Sequence, residues 1–536
     1  MPYIGYAFIV LVCLGVTLVC FNKVNPKAYP FLLYGIGAGM VLMTTLAGPH
    51  LIGSDIHLEY YYAQLRAGRD VLQPIVDIPQ GTSIITYLTD NIWVYKVVYP
   101  LLFALVPVLL YFVFKKWFST QQAFLASFLF IMFPAFSMEL PSIARQMVAE
   151  VILAILLYLL IISNLRMRYK VPLVVVCGAL LPLLHYAVGI IALILLGVGL
   201  ISKLRRKLIG ITLVVVIVTS AIYFPIAENG AIAIKLAYLY NGWISEGTII
   251  PRISAPEIPQ PQHLIPEMAE TPIDIIPSAG VSFINRYEPL IKSGLGLDLL
   301  RTTIPGKIFR VLQWILIVLM VIGIWKLRRN KEYWVFAAGG LVIILLLVIP
   351  GFSSLLNVTR FLHLALFLLA PLLAVALKPK YLLIILIPYF LFTSGFIFEV
   401  TKQDSIEQIT IPYSVGLSSY RMDLGASITK DDIEVRQYIY DNKLFPIYSD
   451  INGADFIVEL TGWRSDLNIA LRREPAEVKG FYIFVRSSNV ELGTFTAWVG
   501  VGCRKYVDPR EYYGIDWDRN IIFQSGNARV IKVEEE

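Results

Sequence analysis

The sequence predicts a mainly α-helical, polytopic membrane protein with about twelve transmembrane helices and a small α/β domain at its C-terminal end. Of its 536 residues, 57% are hydrophobic and 15% are charged, whereas soluble globular chains are about 45–50% apolar and about 25% charged. The mean hydropathy is +0.69. In water such a chain would expose more apolar surface than it could bury, which excludes a soluble enzyme, a disordered chain and a fibrous repeat.

The apolar runs are long enough to cross about 30 Å of hydrocarbon as helices. The run at 171–201 is long for one helix and short for two. Basic clusters flank it on both sides, so we expect a hairpin of two short helices with its tip near His185. The predicted spans are 3–21, 30–47, 95–114, 122–138, 146–163, two within 171–201, 208–227, 308–325, 333–350, 361–377 and 381–398. The first run lacks a preceding basic stretch and a clear cleavage site, so we expect a retained span.

The charges of the chain are divided unevenly between its two parts. Residues 1–398 carry a net charge of +13, whereas residues 399–536, with 16 basic and 22 acidic side chains, carry −6. The basic residues of the first part cluster between apolar runs, which is the positive-inside pattern and not a sign of nucleic-acid binding. The pattern predicts a plasma-membrane protein whose termini and long loops all lie on the outer face. The clusters are Lys23 and Lys27; Lys115 and Lys116; Arg166, Arg168 and Lys170; Lys203, Arg205, Arg206 and Lys207; Lys326, Arg328, Arg329 and Lys331; and Lys378 and Lys380.

Two predicted domains follow from this division, a transmembrane domain at 1–398 and an extracytoplasmic α/β domain at 399–536. The transmembrane domain has two long outer loops, 48–94 and 228–306. The second loop contains nine prolines, so we expect it to be mostly extended after a surface helix at 231–243. In the C-terminal domain we expect a helix at 430–441, capped by Thr429. The predicted strands are 445–449, 481–486, 494–499, 520–523 and 528–533, the last two forming a hairpin.

The first outer loop begins with three ionisable residues that alternate with apolar ones, namely Asp55, His57 and Glu59. An extended chain would point all three to one side, and a helix would place Asp55 and Glu59 on one face at i and i+4. Either conformation brings two carboxylates together near the membrane surface. Partial desolvation there raises the pKa of a carboxyl group and suits it to base catalysis.

This arrangement resembles the GT-C superfamily, polytopic glycosyltransferases that use sugars carried on polyprenyl phosphates. Those enzymes have an acidic motif at the head of the first outer loop, where this chain has Asp55 and Glu59. A second match is the segment at 359–363, with Arg360 and His363 at the predicted outer start of a late span. The chain departs from the family in its Asp-x-His-x-Glu spacing and in lacking a proline after the Arg-Phe pair. The C-terminal domain looks more like an uncharacterised archaeal branch of polytopic membrane proteins.

The resemblance implies an inverting transfer of sugar to a cell-surface glycan or glycoprotein on the outer face. Asp55, assisted by Glu59, would accept the proton of the acceptor hydroxyl, and Arg360 or Arg145 would stabilise the departing phosphate. His57, His185 and His363 are further candidates for substrate contacts, although His185 is as readily explained as a structural residue. No metal ligand is assigned, and a divalent cation on Asp55, His57 and Glu139 stays open as a cofactor.

Three other functions remain open at the level of sequence. A polysaccharide polymerase or ligase also has about a dozen spans and a large outer loop, but uses a lipid-linked glycan as the acceptor. A membrane transporter typically carries ionisable residues near mid-membrane and two similar halves, neither of which the sequence shows. A structural partner of a surface complex would have kept the fold without the activity, against which Asp55 is a weak argument.

Overall fold

The computed structural model has a predominantly helical chain that ends in a small C-terminal sheet, as the sequence predicts. It describes residues 2–53, 55–66, 84–201, 205–226, 303–346, 358–402, 417, 428–461, 468–470, 482–500, 503–510 and 516–533. The predicted surface helix at 231–243, residues 67–83 of the first outer loop and all but the last four residues of the second loop lie outside the described residues.

The helices of the first 402 residues follow the predicted apolar runs. They are α1 (Pro2–Cys20), α2 (Tyr29–Thr45), α3 (Asp55–Arg66), α4 (Tyr99–Phe103), α5 (Val106–Phe114), α6 (Thr120–Met132), α7 (Ala144–Ile161), α8 (Met167–Leu184), α9 (Tyr186–Gly199), α10 (Arg206–Ile226), α11 (Ile304–Leu327), α12 (Lys331–Leu346), α13 (Val358–Ala376), α14 (Pro379–Thr393) and α15 (Phe396–Thr401). A π-helical turn at Val94–Val98 leads into α4.

Eight of these described segments are long and apolar enough to cross a membrane. The bent pair of Thr120–Met132 and Ala135–Ser142, which turns through 53°, would make a ninth. Helices α9 and α14 are apolar but have only 14 and 15 residues. Helix length therefore supports eight or nine crossings among the described residues, and both the count of twelve and the sidedness stay predictions.

The predicted break at His185 is confirmed. Helix α8 ends at Leu184 and α9 begins at Tyr186, while His185 between them has an extended backbone. The His185 ring accepts a hydrogen bond from the Val188 backbone N–H at 3.4 Å. The histidine thus caps α9 by satisfying a backbone donor that the first turn of a helix leaves without a partner.

Helices α7 and α13 lie at the centre of the bundle. The apolar stretches of these two helices are 72% and 78% buried, compared with 22% for α11. Because Arg145 is in the first turn of α7 and Arg360 in the first turn of α13, both predicted cations begin helices that the rest of the bundle encloses.

The C-terminal domain has a five-stranded sheet of order β2-β1-β3-β7-β6 and a separate β4-β5 hairpin. Strand β1 pairs in parallel with β2 and β3, whereas the β3-β7 and β6-β7 pairs are antiparallel. The strands are β1 (Ile447–Ser449), β2 (Asn468–Ala470), β3 (Tyr482–Val485), β4 (Phe495–Gly500), β5 (Cys503–Val507), β6 (Ile521–Ser525) and β7 (Ala528–Lys532). All five predicted strand regions are confirmed, the last two as the closing hairpin, and β2 and β5 are additional.

Three helices accompany the strands in the described part of this domain: α16 (Lys430–Asp441), α17 (Ile451–Thr461) and α18 (Ser487–Leu492). The predicted helix is α16, and Thr429 and Asp432 form a capping box at its start. Helix α17 was not among the predicted elements, and it packs against α3. The C-terminal domain therefore contacts the helix that carries the acidic motif.

A buried ion pair fixes the start of α17 to the end of β3. The Arg486 guanidinium donates through Nε and Nη2 to both oxygens of Asp450, at 3.0 and 2.8 Å. Asp450 also accepts the Gly453 backbone N–H at 2.8 Å, which caps α17. The side chains of Asp450 and Arg486 are 0% and 1% exposed, so the pair joins helix and sheet away from water.

Candidate active site

The acidic motif is helical, which decides between the two conformations that the sequence left open. Residue 55 begins α3, so Asp55 and Glu59 lie one turn apart on one face and His57 points away from them. The chain enters α3 through Gly53, whose φ is +121°. A Cβ atom on Gly53 would lie 2.0 Å from Cβ of Ser142. This close approach requires glycine and places α3 against the segment that precedes α7.

Arg145 joins the two carboxylates of α3. Its Nη2 donates to Oδ2 of Asp55 at 2.8 Å, and its Nε lies 3.5 Å from Oε1 of Glu59. The Arg145 backbone N–H also donates to Oε2 of Glu59 at 3.3 Å, so this carboxyl group sits at the positive N-terminal end of α7. The Asp55 side chain is 31% exposed, whereas that of Glu59 is 0% exposed. Asp55 is therefore the carboxylate that a substrate can reach.

The protonation of Glu59 changes in the neutral range. Burial raises the pKa of this carboxyl group to about 8, against the lowering effect of Arg145 and with a further raising effect of Asp55. Near neutral pH one buried carboxyl group is thus mostly protonated beside a carboxylate that faces solvent. Paired carboxyl groups with different environments can divide the roles of acid and base.

The stability of the protein is expected to fall as the pH rises from about 5 to about 8. In that range folded Glu59 holds a proton that the unfolded chain has released. The free energy of unfolding therefore falls by up to about 1.4 kcal/mol per pH unit and becomes constant above the folded pKa. Glu59→Gln cannot titrate and should lose this part of the slope in melting curves of the purified protein. Exposed Glu332→Gln is the control; equal slopes for the parent and Glu59→Gln would contradict the raised pKa.

The other predicted arginine lies close to this group. Arg360 Nε is 3.5 Å from Oε2 of Glu139, and its side chain is 22% exposed. Asp55, Glu59 and Arg145 form what we call the carboxylate–arginine cluster, and Arg360 pairs with Glu139, six residues before Arg145 in the chain.

His363, a predicted substrate contact, lies buried beside Glu150. Its side chain and that of Glu150 are both 0% exposed, with His363 Nε2 3.2 Å from Oε2 of Glu150. Gln146 donates to Oε1 of the same glutamate at 3.0 Å, and the Phe130 ring lies 4.2 Å from the imidazole centroid. His363 therefore lies beside a buried carboxyl group, one turn further along α13 than Arg360.

His57, another predicted substrate contact, faces the C-terminal domain. Its Nδ1 is 2.5 Å from Oε1 of Glu459 on α17, and Nε2 of His50 is 2.8 Å from the same oxygen. Arg436 donates to the other carboxylate oxygen of Glu459. We call His50, His57 and Glu459 the His–Glu cluster. The cation considered on Asp55, His57 and Glu139 has no common site, since these residues contact Arg145, Glu459 and Arg360 respectively.

Electrostatics in the His–Glu cluster shift the pKa of Glu459 and that of His57 downwards. Burial alone would raise the pKa of Glu459, but Arg436 and the two histidines lower it well below its ordinary value. Burial lowers the pKa of His57, although Glu459 opposes this effect.

Sequence reasoning missed His50, Arg436, Glu459 and Lys96. The Lys96 ammonium donates to the carbonyl oxygens of Gly48 and His50, at 2.5 and 3.0 Å, and so fixes the backbone on which His50 lies. His50 is seven positions from His57 and offers a weak local signal. Glu459 is 402 positions away, and nothing local connects it to the motif.

These features define a multi-pass helical protein with paired carboxyl groups and arginines at one end of its helices. Comparisons of the chain with protein-family models, with curated proteins and with solved structures give no match.

Proposed function

We propose that the protein is a GT-C-type glycosyltransferase that moves a sugar from a polyprenyl phosphate to an acceptor on the outer face of the plasma membrane. One observation carries the proposal: the solvent-facing Asp55 carboxylate is fixed by Arg145 beside the buried Glu59, and Arg360 pairs with Glu139 just before the helix that carries Arg145. This combination offers a base and cations for a phosphate leaving group at one end of a helix bundle. The GT-C resemblance of the sequence supports the same reaction.

In the proposed reaction, an acceptor hydroxyl attacks the anomeric carbon with inversion. The new carbon–oxygen bond forms as the bond to the polyprenyl phosphate breaks, and the leaving phosphate takes the bonding electron pair. The hydroxyl proton passes to Asp55, which Arg145 holds in place through a 2.8 Å hydrogen bond. Arg360 stabilises the growing negative charge on the phosphate, as preorganised cations do in phosphoryl chemistry. The sugar, the linkage and the acceptor depend on pocket shape.

The test is sugar transfer by the full-length protein in isolated membranes, with a panel of radiolabelled polyprenyl-phosphate sugars. The parent should move label from the lipid to a water-soluble or glycan acceptor, and Asp55→Asn should lose this transfer. Exposed Asp90→Asn, in the same predicted outer loop, is the matched control and should keep it. Transfer that survives Asp55→Asn would remove Asp55 as the base, and no transfer with folded protein and several acceptor classes would overturn the proposed function.

The transporter alternative draws support from the Glu150–His363 pair. Both side chains are completely buried within spans, and buried ionisable residues in membrane helices often mark proton or ion pathways. Substrate uptake into proteoliposomes that is lost in Glu150→Gln, without any sugar transfer, would favour this alternative.

A further inference from the structure

We propose that the His–Glu cluster is a binding site for one divalent transition-metal ion, best matched by zinc, at the contact between α3 and α17. The inference rests on donor chemistry and geometry and does not depend on the proposed sugar transfer. Within the described part of the chain, one group of three His, Cys, Asp or Glu side chains has ligand atoms that all lie within 4.8 Å of one another. The group is His50, His57 and Glu459.

The donor set is one that zinc accepts. Two imidazole nitrogens and one carboxylate oxygen, with water in the fourth position, form a known tetrahedral zinc environment. His50 Nε2 is 2.8 and 2.9 Å from the two oxygens of Glu459, and His57 Nδ1 is 2.5 Å from Oε1. Zinc bonds of about 2.0–2.1 Å would set these donors roughly 3.3 Å apart in a tetrahedron. The ligands therefore need to separate by about half an ångström or slightly more to admit the ion.

The groups around the three ligands resemble the outer shell of a metal site. Arg436 donates to Oε2 of Glu459 and leaves Oε1 directed at the histidines, and hydrogen-bonded carboxylate ligands are the rule in such sites. Lys96 fixes the backbone carbonyl of His50. The Phe456 ring covers the cluster, with its centroid 5.3 Å from that of His50.

Burial leaves a short route for the ion. The side chains of His57 and Glu459 are 2% and 1% exposed, whereas that of His50 is 10% exposed. An ion can therefore exchange past His50 and is otherwise shielded from competing water.

The site would join α3 to the C-terminal domain. His57 lies on the face of α3 opposite to Asp55 and Glu59, and Glu459 belongs to a helix 402 positions further along the chain. A metal ion here would bind one face of α3, and the opposite face of α3 carries two members of the carboxylate–arginine cluster. We assign it a positioning role, because none of its ligands contacts that cluster directly.

The experiment is metal analysis of the full-length protein, purified in detergent, stripped with a chelator and then dialysed against trace zinc. We expect about one zinc ion per chain in the parent. His57→Ala and Glu459→Gln should each lose it, with at least about 100-fold weaker binding, because outer-shell losses alone cost about 10–100-fold. His263→Ala, which removes a histidine from elsewhere in the sequence, is the matched control and should retain the ion.

Two further measurements keep the proposal falsifiable if a variant fails to fold. Cobalt substitution of the parent should give the intense visible absorption of a tetrahedral site, and chelation should lower its melting temperature reversibly. A parent that binds no zinc or cobalt would overturn the proposal. Zinc retained equally by folded His57→Ala and Glu459→Gln would also overturn it, because the ion would then lie elsewhere.

Discussion

Arg145→Gln is expected to slow sugar transfer by about 100- to 1,000-fold, a loss typical of removing one preorganised electrostatic group from an active site. The variant leaves Asp55 without its 2.8 Å partner and Glu59 without the cation that lowers its pKa. Arg145→Lys should fall between the parent and Arg145→Gln, because an ammonium group keeps the charge but cannot span both carboxylates as a guanidinium does. Initial rates of label transfer in isolated membranes measure the effect.

A second readout separates positioning of the carboxylates from loss of structure. Without Arg145 the pKa of Glu59 rises above about 8, so the fall of the melting temperature with pH should extend to more alkaline values. Arg168→Gln removes an exposed arginine at a predicted cytoplasmic loop. It should change neither the rate of sugar transfer nor the pH dependence of the melting temperature. Unchanged transfer in Arg145→Gln would remove this arginine from the mechanism.

Arg486→Met is expected to destabilise the C-terminal domain by about 3–5 kcal/mol, the usual cost of leaving one member of a buried ion pair unpaired. Asp450 would remain enclosed without its bidentate donor, at the point where it also caps α17. Resistance to proteolysis across a urea series in the full-length protein measures this loss. Because α17 carries Glu459, the His–Glu cluster should open in the same transition.

The double variant Asp450→Leu with Arg486→Met tests whether the loss of stability in Arg486→Met comes from the unpaired charge of Asp450. It should be more stable than Arg486→Met alone, because an apolar pair of similar volume removes the uncompensated carboxylate. Arg510→Gln is the control, since its pair with Asp518 is about half exposed and exposed pairs contribute little. Equal losses in the Arg510 and Arg486 variants would contradict the importance of burial.

Local signals in the sequence correctly predicted much of the fold. Hydropathy located the apolar helices, because each residue contributes to the average of its own segment. The break at His185 followed from flanking charges and segment length, and the helix after Thr429 followed from a capping box. The prediction of twelve crossings goes beyond the eight or nine that helix length supports, because α9, α12 and α14 have only 14, 16 and 15 described residues.

The candidate site shows where sequence reasoning ends. Both conformations considered for the acidic motif placed Asp55 and Glu59 on one side, and the structure shows the helical one. In a helix, His57 points away from Asp55 and Glu59 and towards α17, a helix that was not predicted from the sequence. His363 belongs to the segment that resembles a GT-C motif, and only the structure shows that it is buried against Phe130 and Glu150; its contact with a substrate stays a prediction.

The sequence alone therefore determined the class of protein, the positions of most helices and the acidic motif that begins α3. Only the tertiary structure decided which charged groups meet: Arg145 with Asp55 across 90 positions, and His50 with Glu459 across 409. The physical reason is the range of the interactions. Helix formation, capping and hydropathy depend on residues a few positions apart, whereas these pairings arise where the packing of helices and sheet brings distant parts of the chain together.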